Sequence, residues 1–173
     1  MLEIERLILR IPEPEDLERL YEWENDLDLF PHKDDLSFYS KAQLEQYIIA
    51  SSSSLHDSGQ QRFMIDDKLG NTIGAVDLFD FNALHERAGV GVLVDKQYRR
   101  KGFANEALTE IKNYGFKKLH LRQLFCDISL ANKASIRLFE NLGFVQTGIK
   151  KAWLKKDSTF QDVGLYQCLN PQL

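Results

Sequence analysis

In four stretches of the chain, apolar residues recur every three or four positions, the spacing of one helical face. Leu17, Leu20 and Tyr21 in "PEPEDLERLYEWEND" predict a first helix. Leu44, Tyr47 and Ile48 in "SKAQLEQYIIAS" predict a second, with Ser40 as its N-cap. Phe103, Ala107, Ile111 and Tyr114 share a face of "GFANEALTEIKNYGFKKL", and "NKASIRLFENLGF" reads as a capped helix closed by Gly143. Elsewhere the runs are short and of β type. "IERLILRIP" stops at Pro12 and predicts an opening strand. "QRFMIDDKLGNTIGAVDLFDF" holds two strands around the turn signal Lys68-Leu69-Gly70-Asn71, and "ERAGVGVLVD" supplies a third. "RQLFCDISLAN" is a further strand, "IKKAWLKK" and "TFQDVGLYQCL" a closing pair around "DST". "SSSSLHDSG" (51–59) reads as a helix end and a loop.

The resulting order is β-α-α-β-β-β-α-β-α-β-β. Strands and helices alternate only in the second half, so a doubly wound parallel sheet is excluded. The expected fold is α+β, with a mixed, mostly antiparallel sheet. Neither a repeat nor a Pro/Gly-rich linker interrupts the 173 residues, and residues 1–173 are expected to form one domain.

Charge changes this picture at one place. The chain carries a net charge of −4, which argues against nucleic acid as a partner, and no apolar run is long enough for a membrane span. "MLEIERLILR" lacks the apolar core of a signal peptide, and Cys126 and Cys168 fit reduced, structural thiols, so a cytoplasmic location is expected. Against that acidic background, "VGVLVDKQYRRKGFANEAL" gathers Lys96, Arg99, Arg100 and Lys101 directly before Gly102. A strand, a short basic loop, a glycine and a helix make an anion site. The first helical amides lack intrahelical partners, and the helix dipole adds a positive field. Gly102 and Ala104 are small enough to admit phosphate oxygens, and the arginines add fork-shaped donors. A solvated basic turn is the other reading of the same residues. Neither GxxxxGK[ST] nor GxGxxG occurs, so the Walker and dinucleotide loops are excluded.

"QYRRKGFA" resembles the acyl-CoA pyrophosphate loop of the GNAT N-acetyltransferase superfamily, R/Q-x-x-G-x-G/A, with Arg99, Gly102 and Ala104 at its defined positions. "ERLILR" is similar to the opening strand of the ribosomal-protein N-terminal acetyltransferase group, and "NKASIRLFENLGF" to the superfamily's Asn-led helix with its E-x-x-G-F ending. "RFMIDDKLGNTIGAVDLFDFNALHERA" and "FQDV" (160–163) resemble segments of bacterial spermidine/spermine N-acetyltransferases. The resemblance implies a sheet of about seven strands flanked by helices on both faces, and acetyl-CoA as co-substrate. It implies an acceptor that is a primary amine, either a polyamine or a basic protein N-terminus, and a homo-oligomer as one possible assembly.

By the same resemblance, backbone groups of Val92, Leu93 and Val94 would pair with the pantetheine as another strand would. Arg99, Arg100, Lys101, Gly102, Phe103 and Ala104 would hold the pyrophosphate, and Asn132 and Ser135 would line the same cleft. The position at which much of the superfamily carries a Tyr that protonates the departing thiolate is Phe139 here, leaving Ser135 or a water as substitute. Asp77 matches a carboxylate of the polyamine enzymes and is the candidate base, with Asp80, His85 and Glu86 as nearby alternatives and surface charge as the plain reading of each. Gly89 stands where the polyamine enzymes have a Glu, and "FPHKDD" where they have a Glu-rich segment. Glu15, Asp16, Glu18, Glu22, Glu24, Asp26, Asp28, Asp34 and Asp35 make the first half acid-rich, which would attract a cationic amine or simply solvate a helix face. A CoA-binding regulatory module of the same fold is the alternative to an enzyme, motivated by Phe139 and Gly89.

Overall fold

Gly70, at φ +83, turns the chain between two strands that pair from Gln61↔Leu78 to Asp66↔Thr72, and this hairpin lies near the middle of the sheet. The computed structural model describes residues 2–26, 29, 38–156 and 158–172. Its strands are β1 (Leu2–Glu3), β2 (Leu7–Arg10), β3 (Gln61–Asp67), β4 (Thr72–Asn82), β5 (Arg87–Val94), β6 (Gln123–Ser129), β7 (Val145–Lys156) and β8 (Thr159–Leu169). They form one sheet in the order β1-β2-β3-β4-β5-β6-β8-β7. Every neighbouring pair is antiparallel except β5 with β6. That one parallel step needs a crossover, and α4 (Phe103–Asn113) provides it. The remaining helices are α1 (Leu17–Glu24), α2 (Lys41–Ala50), the single turn α3 (Leu55–Ser58) and α5 (Lys133–Asn141).

Alternation along the strands sorts side chains onto two faces. Leu7, Leu9, Val76, Leu78, Ala88, Val90, Leu124 and Cys126 point to one face and pack with Ala107, Leu108 and Ile111 of α4 and Phe139 of α5. Met64 and Ala75 point to the other face and meet Leu20 and Trp23 of α1 and Leu44 and Ile48 of α2. Helices therefore cover both faces, as expected. The opening strand is broken into β1 and β2, with Ile4 N–H donating to the Leu7 carbonyl across the break. Trp23, not Tyr21, is the buried aromatic of α1: Tyr21 is 37% exposed and Trp23 only 4%. A 3₁₀ turn at Pro14–Asp16 precedes α1. The stretch 51–59 begins, as expected, at a helix end, with Ser51 as the C-cap of α2, but its second part is not a loop: Leu55–Ser58 form α3, where the Ser54 hydroxyl accepts from the Asp57 amide and Gly59 closes the turn at φ +71.

Candidate active site

The parallel step in the sheet lasts three residues. Arg87, Ala88 and Gly89 pair with Gln123, Leu124 and Phe125, after which β5 and β6 part. Beyond Gly89, β5 keeps its other neighbour, with Val92, Leu93 and Val94 opposite Val76, Ala75 and Gly74 of β4. On the side facing β6, no strand pairs with residues 90–94 among the described residues. An edge with its peptide groups available inside a sheet is a template for an extended ligand. Val92, Leu93 and Val94 thus stand together along one wall of a wedge.

At the end of β5 the chain turns through Asp95 and a 3₁₀ turn, Lys96–Tyr98, into the basic loop. Arg100 (φ +62) and Gly102 (φ +88) both take left-handed backbone, a conformation that costs a non-glycine residue about 1–2 kcal/mol. This bend brings the chain abruptly into α4, whose N-cap Gly102 has no side chain to cover the first amides. The amides of Phe103, Ala104 and Asn105 therefore open to the outside of the loop. Arg99, Arg100 and Lys101 are exposed and enter no ion pair among the described residues. Arg99 is partly committed, since its Nε donates to the Val94 carbonyl at 2.8 Å and ties the loop to the end of β5.

A residue in the bend between β1 and β2 holds this loop from behind. Arg6 donates from its backbone N to Glu106 Oε1 (3.0 Å), from Nε to Glu106 Oε2 (2.9 Å) and from Nη1 to the Lys101 carbonyl (3.2 Å). Its guanidinium lies 5.0 Å from the centre of the Phe103 ring, and a Cβ on Gly102 would come within 3.2 Å of Nη2. Glu106 lies in the first turn of α4. The separation of 100 residues leaves no local signal for its pairing with Arg6.

Across the wedge, Asn132 caps α5: its Oδ1 accepts from the Ser135 amide at 3.1 Å. Ser135 is half-buried on the first turn, and Phe139 follows one turn later on the same side. Phe139 is only 4% exposed and meets Phe144 edge-on, with centroids 5.1 Å apart. The phenyl ring is thus part of the core beneath the wedge.

Asp77 faces the α1/α2 side, but its two oxygens accept from a single guanidinium, Arg62 Nε at 2.7 Å and Nη2 at 3.0 Å. Arg62, its register partner on β3, also donates from Nη1 to Glu24 Oε1 at 2.5 Å and lies 5.5 Å from the Tyr47 ring centre. Burial alone would lower the Arg62 pKa; Asp77, Tyr47 and Glu24 reverse this and leave it raised, so the guanidinium stays charged. Burial pushes the Tyr47 hydroxyl upward as well. The cluster of Glu24, Asp77 and Arg62 therefore carries one net negative charge, and Asp77 is a fixed ion-pair member. An Arg inside the strand run "QRFMIDD", on the face that alternation sends toward the helices, was the available signal for it.

Four other acidic residues of the first half are also partnered. Asp16 holds Arg10 at 2.7 Å, Glu18 holds Lys41 at 2.5 Å, Glu22 holds Arg19 at 3.5 Å and Asp26 holds Lys96 at 3.3 Å. Asp28, Asp34 and Asp35, with His32 and Lys33 of "FPHKDD", lie outside the described residues. Asp80 (φ +47) occupies the bulge of β4, while His85 and Glu86 are exposed in the β4–β5 turn. Cys126 and Cys168 are buried free thiols, and burial pushes the pKa of Cys126 far up, which makes it inert.

This arrangement can hold an anion on α4, extend a chain along β5 and admit a second reactant from the α1/α2 face. Comparison with known proteins agrees with that division. A model of the acetyltransferase (GNAT) domain matches residues 6–145. A spermidine N(1)-acetyltransferase of Vibrio cholerae is 26% identical over 158 residues, covering 91% of this chain and 90% of the relative. A crystal structure of spermidine N-acetyltransferase from Vibrio cholerae in complex with CoA and spermine superimposes with a TM-score of 0.85 at 25% identity, over 95% of both chains. A structure of the same enzyme described as dodecameric and in an intermediate state matches with a TM-score of 0.80 at 26% identity, over 96% of this chain and 95% of that one.

Proposed function

Since the chain belongs to the GNAT acetyltransferase family, we propose that its wedge binds acetyl-CoA and transfers the acetyl group to a primary amine by direct attack. The observation that carries this reading is the parting of β5 and β6 beside a glycine-capped, basic helix N-terminus. The exposed amides of Phe103, Ala104 and Asn105, with Arg100, Lys101 and the remaining N–H groups of Arg99, hold the pyrophosphate. Val92, Leu93 and Val94 hold the pantetheine as a neighbouring strand would, and Asn132 and Ser135 close the other wall. A main-chain N–H near Leu93 or Val94 polarises the thioester carbonyl, and holding both reactants in one wedge supplies much of the rate.

The amine nitrogen forms a bond to the carbonyl carbon, the carbon–sulfur bond breaks, and CoA leaves as thiolate. The proton shed by the nitrogen passes to water or the Ser135 hydroxyl and from there to sulfur. Phe139 has no proton to offer. Asp77, held by Arg62, orients charge at the acceptor side and is not the direct base in this scheme.

Spermidine and spermine head the acceptor panel because the relatives are named for them, and basic peptide N-termini follow. A homo-oligomer is the proposed assembly, by analogy with the dodecameric relative. Two buried free thiols suit a reducing, cytoplasmic setting, and among the described residues no helix is long and apolar enough to cross a membrane. No observation favours a regulatory module without activity. Release of CoA from acetyl-CoA, followed with a thiol reagent across the amine panel, tests the proposal. Saturable turnover on at least one amine is expected. Tight acetyl-CoA binding with no product on any amine would overturn it.

A further inference from the structure

Arg6 supports the basic loop from one flank, and Asp95 supports it from the other. The two carboxylate oxygens of Asp95 serve two different elements. Oδ1 accepts from the Gln97 amide at 3.3 Å and so caps the 3₁₀ turn Lys96–Tyr98, from which the basic loop starts. Oδ2 faces α1: the Trp23 indole Nε1 donates to it at 3.4 Å, and Arg19 Nη1 lies 3.6 Å away. The Arg19 guanidinium is also 5.9 Å from the centre of the Trp23 ring, which keeps the two donors side by side. One residue further on, Lys96 meets Asp26, just beyond the end of α1, at 3.3 Å. The Asp95 backbone is fixed separately, since its N–H donates to the Ile73 carbonyl at 2.9 Å. Its side chain is therefore the part that joins α1 to the loop.

Helix α1 borders the side from which the second reactant enters. Its Leu20 and Trp23 pack with Leu44 and Ile48 on Met64 and Ala75, and Leu93 of β5 packs against the same cluster. Toward the start of α1 an open cleft of about 440 Å³, lined by Glu15, Glu18, Glu22, Asn71, Thr72 and Tyr98, lies between helix and loop. At that level the two elements meet through polar side chains and not through packed apolar surface. A neutral side chain of the same size cannot replace the carboxylate, because both of its neighbours are donors. Asn has one oxygen and one NH₂; with the oxygen on the Gln97 amide, the NH₂ would face the Trp23 and Arg19 donors.

We propose that Asp95 is a positioning residue that couples α1 to the pyrophosphate loop, so that the helix on the acceptor side sets the affinity for the acyl donor. The proposal rests on the acyl-transfer reading and adds a link between its two sites. CoA in the wedge selects one arrangement of the loop, and Asp95 passes that choice to the indole of Trp23. The link runs equally in the other direction, so a change on α1 alters donor binding without touching the donor.

Titration calorimetry with CoA on the parent, Asp95→Asn, Trp23→Phe and the double variant tests the coupling. Trp23→Phe keeps an apolar ring and removes only the indole donor. Each single variant should raise Kd for CoA about five-fold, the lower end of the range for coupled sites. The double variant should stay within about two-fold of Asp95→Asn, because both changes break the same link. Fluorescence gives a second readout. The chain has two tryptophans, and Trp153 is 59% exposed on β7 whereas Trp23 is buried. In Trp153→Phe the emission comes from Trp23 alone; saturating CoA should change it, and adding Asp95→Asn should abolish the change. A lowered Tm with unaltered Kd in the single variants, additive losses of about 25-fold in the double variant, or Trp23 emission that ignores CoA would overturn the coupling and leave acyl transfer standing. A parent protein that binds no CoA would overturn both.

Discussion

Replacing Arg6 by Met should weaken acetyl-CoA binding although residue 6 never reaches the cofactor side of the loop. The substitution removes the guanidinium donors to Glu106 and to the Lys101 carbonyl and keeps the backbone N–H to Glu106 Oε1. Two consequences separate. The Arg6 side chain is 50% exposed, so solvent screens the pair and its loss costs about 1 kcal/mol, a fall in Tm of roughly 2–4 °C for a chain of this size. Glu106, with a side chain only 18% exposed, is then left as an uncompensated anion on the first turn of α4. Two phosphate charges about 8 Å away in a water-like dielectric would feel roughly 1 kcal/mol of repulsion, or about a five-fold rise in KM for acetyl-CoA. Turnover at saturation should stay within about two-fold, because the reacting groups are untouched. The assay is steady-state CoA release with acetyl-CoA varied, alongside thermal unfolding. In Arg6→Met/Glu106→Gln the charge disappears with the clamp, so KM should return to within about two-fold of the parent while Tm stays low. An unchanged KM in the single variant, with Tm reduced, would refute the electrostatic argument.

Phe139→Tyr should leave kcat unchanged or raise it, because it restores a proton donor beside the wedge; a loss above ten-fold with intact CoA affinity would count against thiolate departure without a side-chain acid. Gly89→Ala should cost about 1–3 kcal/mol, since its Cβ would press on the Phe79 ring, and Phe79→Ala should relieve that cost in the double variant by thermal unfolding. Asp67 and Asp162 have pKa values lowered in the fold, by Asn71 and by Lys151 respectively. Carboxylates of this kind stabilise above their unfolded pKa and lose that contribution as pH falls through the folded value, so Tm should drop below about pH 4, and Asp67→Asn should flatten part of the drop.

Much of the frame is legible in local pattern. Gly70-Asn71 marks the β3–β4 hairpin, Gly102 marks the start of α4, and Asn132 sits three residues before the amide it caps. Each of these is a short-range physical requirement, which is why residue type and spacing disclose it. The anion loop belongs to the same class, as its geometry is set by a run of four residues, Arg99–Gly102. The loop's support does not: Arg6 and Glu106 meet only because β2 and α4 lie against each other, and neither carries a mark of the other. Asp77 shows the same limit from the opposite side. Its position on the helix face follows from alternation, but its commitment to Arg62 depends on the β3–β4 register, which a one-residue slip would reverse. Phe79 over Gly89 needs the register on both flanks of β5, and so it too lay beyond the sequence. The short helix α3 was missed for a different reason, since four residues held by one serine cap give too little periodicity to detect.

The parting of β5 and β6 also ties the protein's persistence to metabolic supply. On the proposed reading, the sheet is one strand short until a thioester occupies the gap, so ligand and fold share one free energy. At a concentration one hundred times its dissociation constant, such a ligand adds about 2.7 kcal/mol to apparent stability. A cell low in acetyl-CoA would therefore hold a looser, more quickly degraded population of this chain, and abundance as well as rate would follow the acyl donor.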